Sequence, residues 1–232
     1  MIFNDWEKFY KKILKDFNFD YNKDIEAAKL LDNFISNSNK DILIKDIKKT
    51  LNKKEVYVFG SGPSLLNSID LFKNDFKKKI IISADGATSA LVENKIIPNI
   101  IVTDLDGKIK DQIYANKKGS LVLIHAHGDN IQKICEYTDL FNDDIIGTTQ
   151  TNPDLYKKLY NFGGFTDGDR SVFLADHFKA RKINLIGFDY EGLIGEYSFS
   201  KNKDKNVKLK KLKWCEFLVN ELKKNNRNIK YL

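Results

Sequence analysis

Apolar residues in the first fifty positions recur at helical spacing. Trp6, Phe9, Tyr10, Ile13, Leu14 and Phe17 form one stripe, and Ile25, Ala28, Leu31, Phe34 and Ile35 form a second after a break around Asn18 to Asn22. Ile42 to Leu51 predicts a third, shorter helix. From residue 55 the period changes. Short β-branched runs follow: EVYVFG (55–60), KIIISA (79–84), NIIVTD (99–104), SLVLIH (120–125), DDIIGT (143–148) and INLIGF (183–188). Most lack alternation, as do strands buried on both faces of a parallel sheet. Helical spacing fills Ile109 to Ala115, Ile131 to Tyr137 and Val172 to Phe178. A long helix is expected over Val207 to Lys224, and NIKYL (228–232) reads as a final edge strand. This alternation predicts an α/β fold with a doubly wound, mostly parallel, Rossmann-like sheet. Residues 1–53 are expected to form an N-terminal helical extension without chemical groups of its own, and 54–232 the α/β catalytic domain.

Composition narrows the class. The chain has 232 residues, 42% of them hydrophobic, enough for one sizeable core. No apolar run reaches the ~20 residues of a membrane-spanning helix. The opening MIFNDWEKFYKKILKDF mixes acids and bases at helical spacing, unlike a signal peptide, so a cytoplasmic protein is expected. Cys135 and Cys215 have neither disulfide-framework nor metal-site spacing, and buried packing is expected of both. Lys+Arg 39 against Asp+Glu 32 gives a net charge of +7, which raises nucleic acid or an anionic small molecule as partners. The bases are scattered, however. The one dense run, KNKDKNVKLKKLK (201–213), has no interleaved aromatics and reads as a solvated helix face near a phosphate-handling site.

Ligands of such sheets bind beyond the carboxyl ends of the strands, so the residues that follow each strand carry the test. After the first come Gly60, Ser61, Gly62, Pro63 and Ser64, suited to close backbone approach and to an anion at the next helix N-terminus. The pattern matches neither GxGxxG nor the P-loop, and a plain tight turn is the alternative. After the second come Asp85 and Gly86, for which helix capping alone would suffice. After the third come Asp104 and Asp106. In an extended chain residues i and i+2 point the same way, so both carboxylates can face one Mg²⁺. The fourth ends in His125-Ala126-His127-Gly128-Asp129. Zinc lacks a third ligand, Asp129 is a candidate third carboxylate for the metal, and His127 a donor to phosphate; one of the two histidines is expected to be structural. Thr148, Thr149 and Gln150 close the fifth strand with groups suited to a nucleotide. Asp167, Asp169 and Arg170 open a later helix, where Arg170 can hold a phosphoryl group. Each motif alone is weak; five successive strand ends carrying such groups point to a site.

Together GSGPSL, ADGATSAL, PNIIVTDLDG, HAHGDN and GFTDGDR resemble the archaeal 6-hydroxymethyl-7,8-dihydropterin pyrophosphokinases, a family related to thiamin pyrophosphokinase, over about Val56 to Gly187. Asp85-Gly86-Ala87 matches the relative's acid-Gly-Ala segment, Pro98 to Asp106 its central aspartate motif, and Asp129 its last aspartate. Thr103 and Gly107 depart from the thiamin pattern, where Gly and Ser stand, and favour the pterin branch. The resemblance implies a thiamin pyrophosphokinase-like catalytic fold and transfer of a diphosphoryl group from ATP to a hydroxymethylpterin, with AMP leaving. It also implies that Asp104, Asp106 and Asp129 hold Mg²⁺, and that Arg170 and the Gly60–Ser64 amides offset phosphate charge. Asp129 and His127 both stay open as proton acceptor. The partners expected are ATP and a small hydroxymethylpterin, with neither nucleic acid nor membrane; a homodimer is left open.

Two rival readings follow from the same residues. GSGPSL also resembles the entry motif of some nucleotide-sugar glycosyltransferases, which lack the paired acids of TDLDG and HGDN. A non-catalytic RNA- or nucleotide-binding domain would have no need of acids that repel nucleic acid.

Overall fold

The computed structural model describes residues 3–35, 40–76, 78–142, 144–191, 194–198, 204–226 and 228–232. Three helices lead, α1 (Phe3–Phe17), α2 (Tyr21–Phe34) and α3 (Lys40–Leu51). They are followed by β1 (Glu55–Phe59), α4 (Leu65–Phe76), β2 (Ile80–Ala84), α5 (Ala87–Glu93), β3 (Ile100–Thr103) and α6 (Ile109–Lys117). Then come β4 (Leu121–Ala126), α7 (Ile131–Tyr137), β5 (Ile145–Thr149), β6 (Leu159–Tyr160), α8 (Asp167–His177), β7 (Lys182–Ile186), α9 (Lys205–Asn225) and β8 (Ile229–Tyr231). The strands form one sheet in the order β6-β5-β4-β3-β2-β1-β7-β8, and every pair is parallel. The foreseen NIKYL strand is its edge, β8. The two-residue β6 at the other edge was not foreseen.

Alternate side chains divide the core between the two faces of the sheet. Val56, Val58, Ile82, Val102, Leu123 and Leu185 pack on one face with α1, α3, α8 and α9. Phe59, Ile81 and Ile186 face α4 and α5. Ile101, Val122 and Ile124 face α2, α6 and α7 on that same second side. Each such aliphatic, fully buried, contributes roughly 1.5–3 kcal/mol. Both faces are therefore apolar, which explains the unbroken hydrophobic runs. Trp6 and Leu51, from the expected N-terminal extension, lie in the same cluster as the strands. Of the two cysteines Cys215 is buried, as expected, but Cys135 is exposed, because it falls on the outer side of the short helix α7.

From β1 the chain steps outward to β6, then returns to place β7 on the far side of β1. That reversal makes a switch point at the carboxyl ends of β1 and β7, where the loops diverge and leave a crevice. The site lies there and along the adjoining strand ends.

Candidate active site

A cleft of about 450 Å³ runs along the carboxyl ends of the strands, roofed by the start of α9. Gly60 to Gly62 follow β1 into it, Asp85 follows β2, Asp104 and Asp106 follow β3, His127 to Asn130 follow β4, and Gln150 follows β5. Thr166, the N-cap of α8, and Asp167, Gly168 and Arg170 of its first turn also line it. The sheet places the strand-end groups, since each lies one to four residues beyond a largely buried strand, and the start of α8 places the others.

Asp85 is fixed by three donors on one oxygen. Its Oδ1 accepts from Thr103 Oγ1 at 2.8 Å, Gln112 Nε2 at 2.9 Å and the Gly107 amide at 3.1 Å. Oδ2 is left toward the cleft. Gly107 makes this approach easy, because a Cβ there would lie only 3.0 Å from Asp85 Oδ2. The backbone is strained on both sides: Asp85 has φ +38° and Leu105 φ +65°, conformations that L side chains rarely adopt. Thr103 holds both ends of the arrangement, since its hydroxyl also accepts from the Leu105 amide at 2.9 Å.

Ligand oxygens of Asp85, Asp104 and Asp167 lie within 4.8 Å of one another. Asp104 Oδ2 is 3.2 Å from His127 Nε2, while its Oδ1 is buried without a hydrogen-bond partner among the described residues. Asp167 Oδ1 accepts from Arg170 at 3.0 Å, and Arg170 Nε is likewise buried and unpartnered. Three carboxylates so close repel one another, and their titration divides accordingly. Burial, then the charge of Asp104, raises Asp85 above the usual carboxylate range. The same two causes raise Asp167 well above it. Burial also pushes Asp104 upward, but the hydrogen bond and charge of His127, with Arg170 and Lys211, outweigh it and hold Asp104 well below that range.

The expected trio Asp104, Asp106 and Asp129 is not the cluster that forms. Leu105, in the left-handed region with its side chain in the core, breaks the extended geometry that would have aimed residues 104 and 106 together. Asp106 lines the cleft but pairs with Lys133. Asp129 also lines it, exposed at the rim. Asp85 and Asp167, expected as nucleotide contacts, take their places beside Asp104. Of the histidines, His125 is buried against Thr148 (3.0 Å), with its pKa pushed down by burial and by Arg170. His127 is the one that reaches the cleft.

Other expected contacts are committed elsewhere. The amides of Gly60, Gly62 and Ser64 donate to Ile186 O, Gly187 O and Asp189 Oδ2 at 2.8, 2.9 and 3.0 Å. That stretch ties β1 to β7 instead of presenting a row of open amides; a Cβ on Gly62 would lie 2.2 Å from Asp189 Oδ2. Ser64 Oγ also donates to Asp189, and neither Ser64 nor Gly86 lines the cleft, whereas Ser61 does. Thr148 and Thr149 turn to His125 and Thr151. Asp169, fully buried, accepts from the Phe165 and Thr166 amides and completes the capping box that starts α8. Gln150 does reach the cleft, its amide donating to Asp24 at 2.7 Å.

Comparison with known proteins agrees with the motifs. The family model described as 6-hydroxymethylpterin diphosphokinase MptE-like matches residues 28–193, a span that contains every residue of the acidic cluster. The chain belongs to this family. A protein named 6-hydroxymethyl-7,8-dihydropterin pyrophosphokinase from Methanocaldococcus jannaschii is 43% identical, with 96% of each chain covered. Proteins of the same name from Pyrococcus furiosus and Methanothermobacter thermautotrophicus are 41% and 42% identical, covering 98% and 95% of this chain and 96% and 94% of theirs. Among solved structures, the Maf glycosyltransferase from Magnetospirillum magneticum AMB-1 is similar over 66% of this chain and 28% of its own, at 16% identity and a TM-score of 0.44. No helix of the described residues is long and apolar enough to cross a membrane.

Three contributors went unforeseen. Asp24 of α2 is buried and accepts from Tyr10 Oη at 2.5 Å, Gln150 Nε2 at 2.7 Å and the Gly128 amide at 2.7 Å. Lys208 and Lys211 of α9 line the cleft. An acid three residues into a helix and a lysine in a lysine run carry no sequence signature; only packing selects them.

Proposed function

We propose that this chain transfers the diphosphoryl group of ATP to the hydroxymethyl oxygen of 6-hydroxymethyl-7,8-dihydropterin, with Mg²⁺, releasing AMP. The observation that carries the reading is the half-buried triangle of Asp85, Asp104 and Asp167, with the buried Asp104 Oδ1 left without a donor. A buried carboxylate oxygen without a donor is costly, and a hard cation with oxygen ligands answers that cost. The donor set fits Mg²⁺: all oxygen, three acids, no sulfur or ligating histidine beyond His127 at the edge. When bound, Mg²⁺ supplies charge that offsets the triphosphate and favours its placement over the acids.

The chain's own groups do the rest. Arg170 Nε, buried and unpartnered, can donate to a phosphate oxygen while Nη1 stays on Asp167. His127 Nε2 faces Asp104 at 3.2 Å, and its Nδ1 faces the Asp129 amide at 3.2 Å. Asp129, at the exposed rim of the cleft, then takes the acceptor's hydroxyl proton. Attack at the β-phosphorus then expels AMP, and positioning with electrostatics supplies most of the rate. The relatives' shared name supports this acceptor. Incubation with ATP, Mg²⁺ and a panel of hydroxymethylpterins and thiamin tests it. 6-Hydroxymethyl-7,8-dihydropterin should be consumed and thiamin left; turnover of no pterin would overturn the reading.

A further inference from the structure

Helix α9 begins in the lysine-rich stretch that reads from sequence as a solvated face; residues 201–203 of that run lie outside the described residues. Its described lysines divide sharply. Lys205 and Lys213 are exposed, and Lys210 pairs with Asp16 at 3.1 Å across to α1. Lys208 and Lys211, three residues apart and so on one face, are half-buried and line the cleft. Neither side-chain ammonium makes a hydrogen bond or an ion pair within 4 Å among the described residues. Lys211 instead lies 5.8 Å from the ring centres of both Phe19 and Phe165.

A lysine present to neutralise the acids would sit on one of them. These two do not, although Asp85, Asp104 and Asp167 all act on Lys208 through space. Burial and the charge of Lys211 lower the pKa of Lys208, so its ammonium is held at a cost without a partner. The other cations of the wall are Arg170, ion-paired to Asp167, and Lys23, exposed at the rim. A polyphosphate over a triangle of carboxylates needs positive charge from the opposite side. We propose that Lys208, with Lys211, is a polyphosphate-binding residue that holds the phosphate chain of the nucleotide from α9, opposite the acidic triangle. Lysine suits this as a compact point charge that follows the oxygens without demanding fork geometry.

The proposal rests on the reading above only in requiring a polyphosphate ligand, so the probe is magnesium tripolyphosphate, titrated calorimetrically without pterin. Lys208→Met should weaken binding on the order of ten- to a hundred-fold, the range of a hydrogen bond to a charged group. Lys211→Met should weaken it less, Lys208→Arg should restore part of it, and Lys213→Met on the outer face should leave it unchanged. A matching melting temperature for Lys208→Met shows that the loss is not unfolding. Unchanged tripolyphosphate binding in Lys208→Met overturns the proposal, even if the wild type forms AMP. Conversely, Lys208-dependent binding in a protein that forms no AMP sustains the proposal while the diphosphokinase reading fails.

Discussion

Asp24 Oδ1 accepts the amide of Gly128 at 2.7 Å, which fastens helix α2 to the loop that carries His127 to Asp104. Gly128 lies close enough that a Cβ would meet Lys23 Cβ at 2.6 Å. The N-terminal helices thereby act as a clamp on the site, since the same carboxylate holds Tyr10 and Gln150.

Asp24→Asn tests the clamp. An amide cannot accept from three donors at two oxygens, so buried donors lose partners. Stability should fall by about 2–4 kcal/mol. At a temperature where the variant stays folded, kcat/KM should also fall, because His127 is no longer held. Chemical denaturation and steady-state kinetics measure the two effects, and full stability in Asp24→Asn would refute the clamp.

Among the acids the triangle sets a ranking. Asp85→Asn, Asp104→Asn and Asp167→Asn should each lower kcat on the order of 10²–10³-fold, as removal of preorganised charge at a reacting centre does. Asp106→Asn should cost less, because it breaks an ion pair with Lys133 outside the triangle. If Asp106→Asn proves the most damaging while Asp167→Asn is mild, the metal assignment belongs to the spacing of the DLDG motif and not to the triangle.

The acids also predict how Mg²⁺ and pH combine. Asp85 and Asp167 have raised folded pKa values. Their stabilising contribution is present below the unfolded carboxylate value and is lost as pH rises through the raised values. Asp104, held low, works in the opposite window and loses its contribution as pH falls below the ordinary range. Metal-free protein should therefore lose stability as pH climbs from about 4 through the raised values. Mg²⁺, which needs the carboxylates ionised, should raise Tm more at about pH 8 than at about pH 5. Melting curves with and without Mg²⁺ measure this; an Mg²⁺ shift independent of pH would contradict it.

Much of this was legible in the chain. Apolar runs bounded by Gly and Asp gave six of the strands, and helical periods gave α1, α7 and α9 within a few residues. The strand-end rule then led to Asp85, Asp104, His127 and Arg170, which do meet in one cleft. What escaped depends on side-chain direction. Spacing cannot reveal that Leu105 turns left-handed and parts Asp106 from Asp104. Nor can it reveal that Asp169 caps α8 while Asp167, two residues earlier, faces the acids. The Gly60–Ser64 turn has the composition of a phosphate loop, yet three of its amides bond to the β7 end. Strand β6, two residues long, is too short for any period.

Phosphates resting over the triangle should be attacked at the β-phosphorus. Phosphorus NMR of a reaction containing ATP, Mg²⁺ and 6-hydroxymethyl-7,8-dihydropterin follows all three phosphorus atoms at once. The products should be AMP carrying only the α-phosphorus and a pterin diphosphate carrying β and γ, formed one to one and abolished by chelating Mg²⁺. ADP with a pterin monophosphate, or ATP left intact beside unreacted pterin, would contradict it.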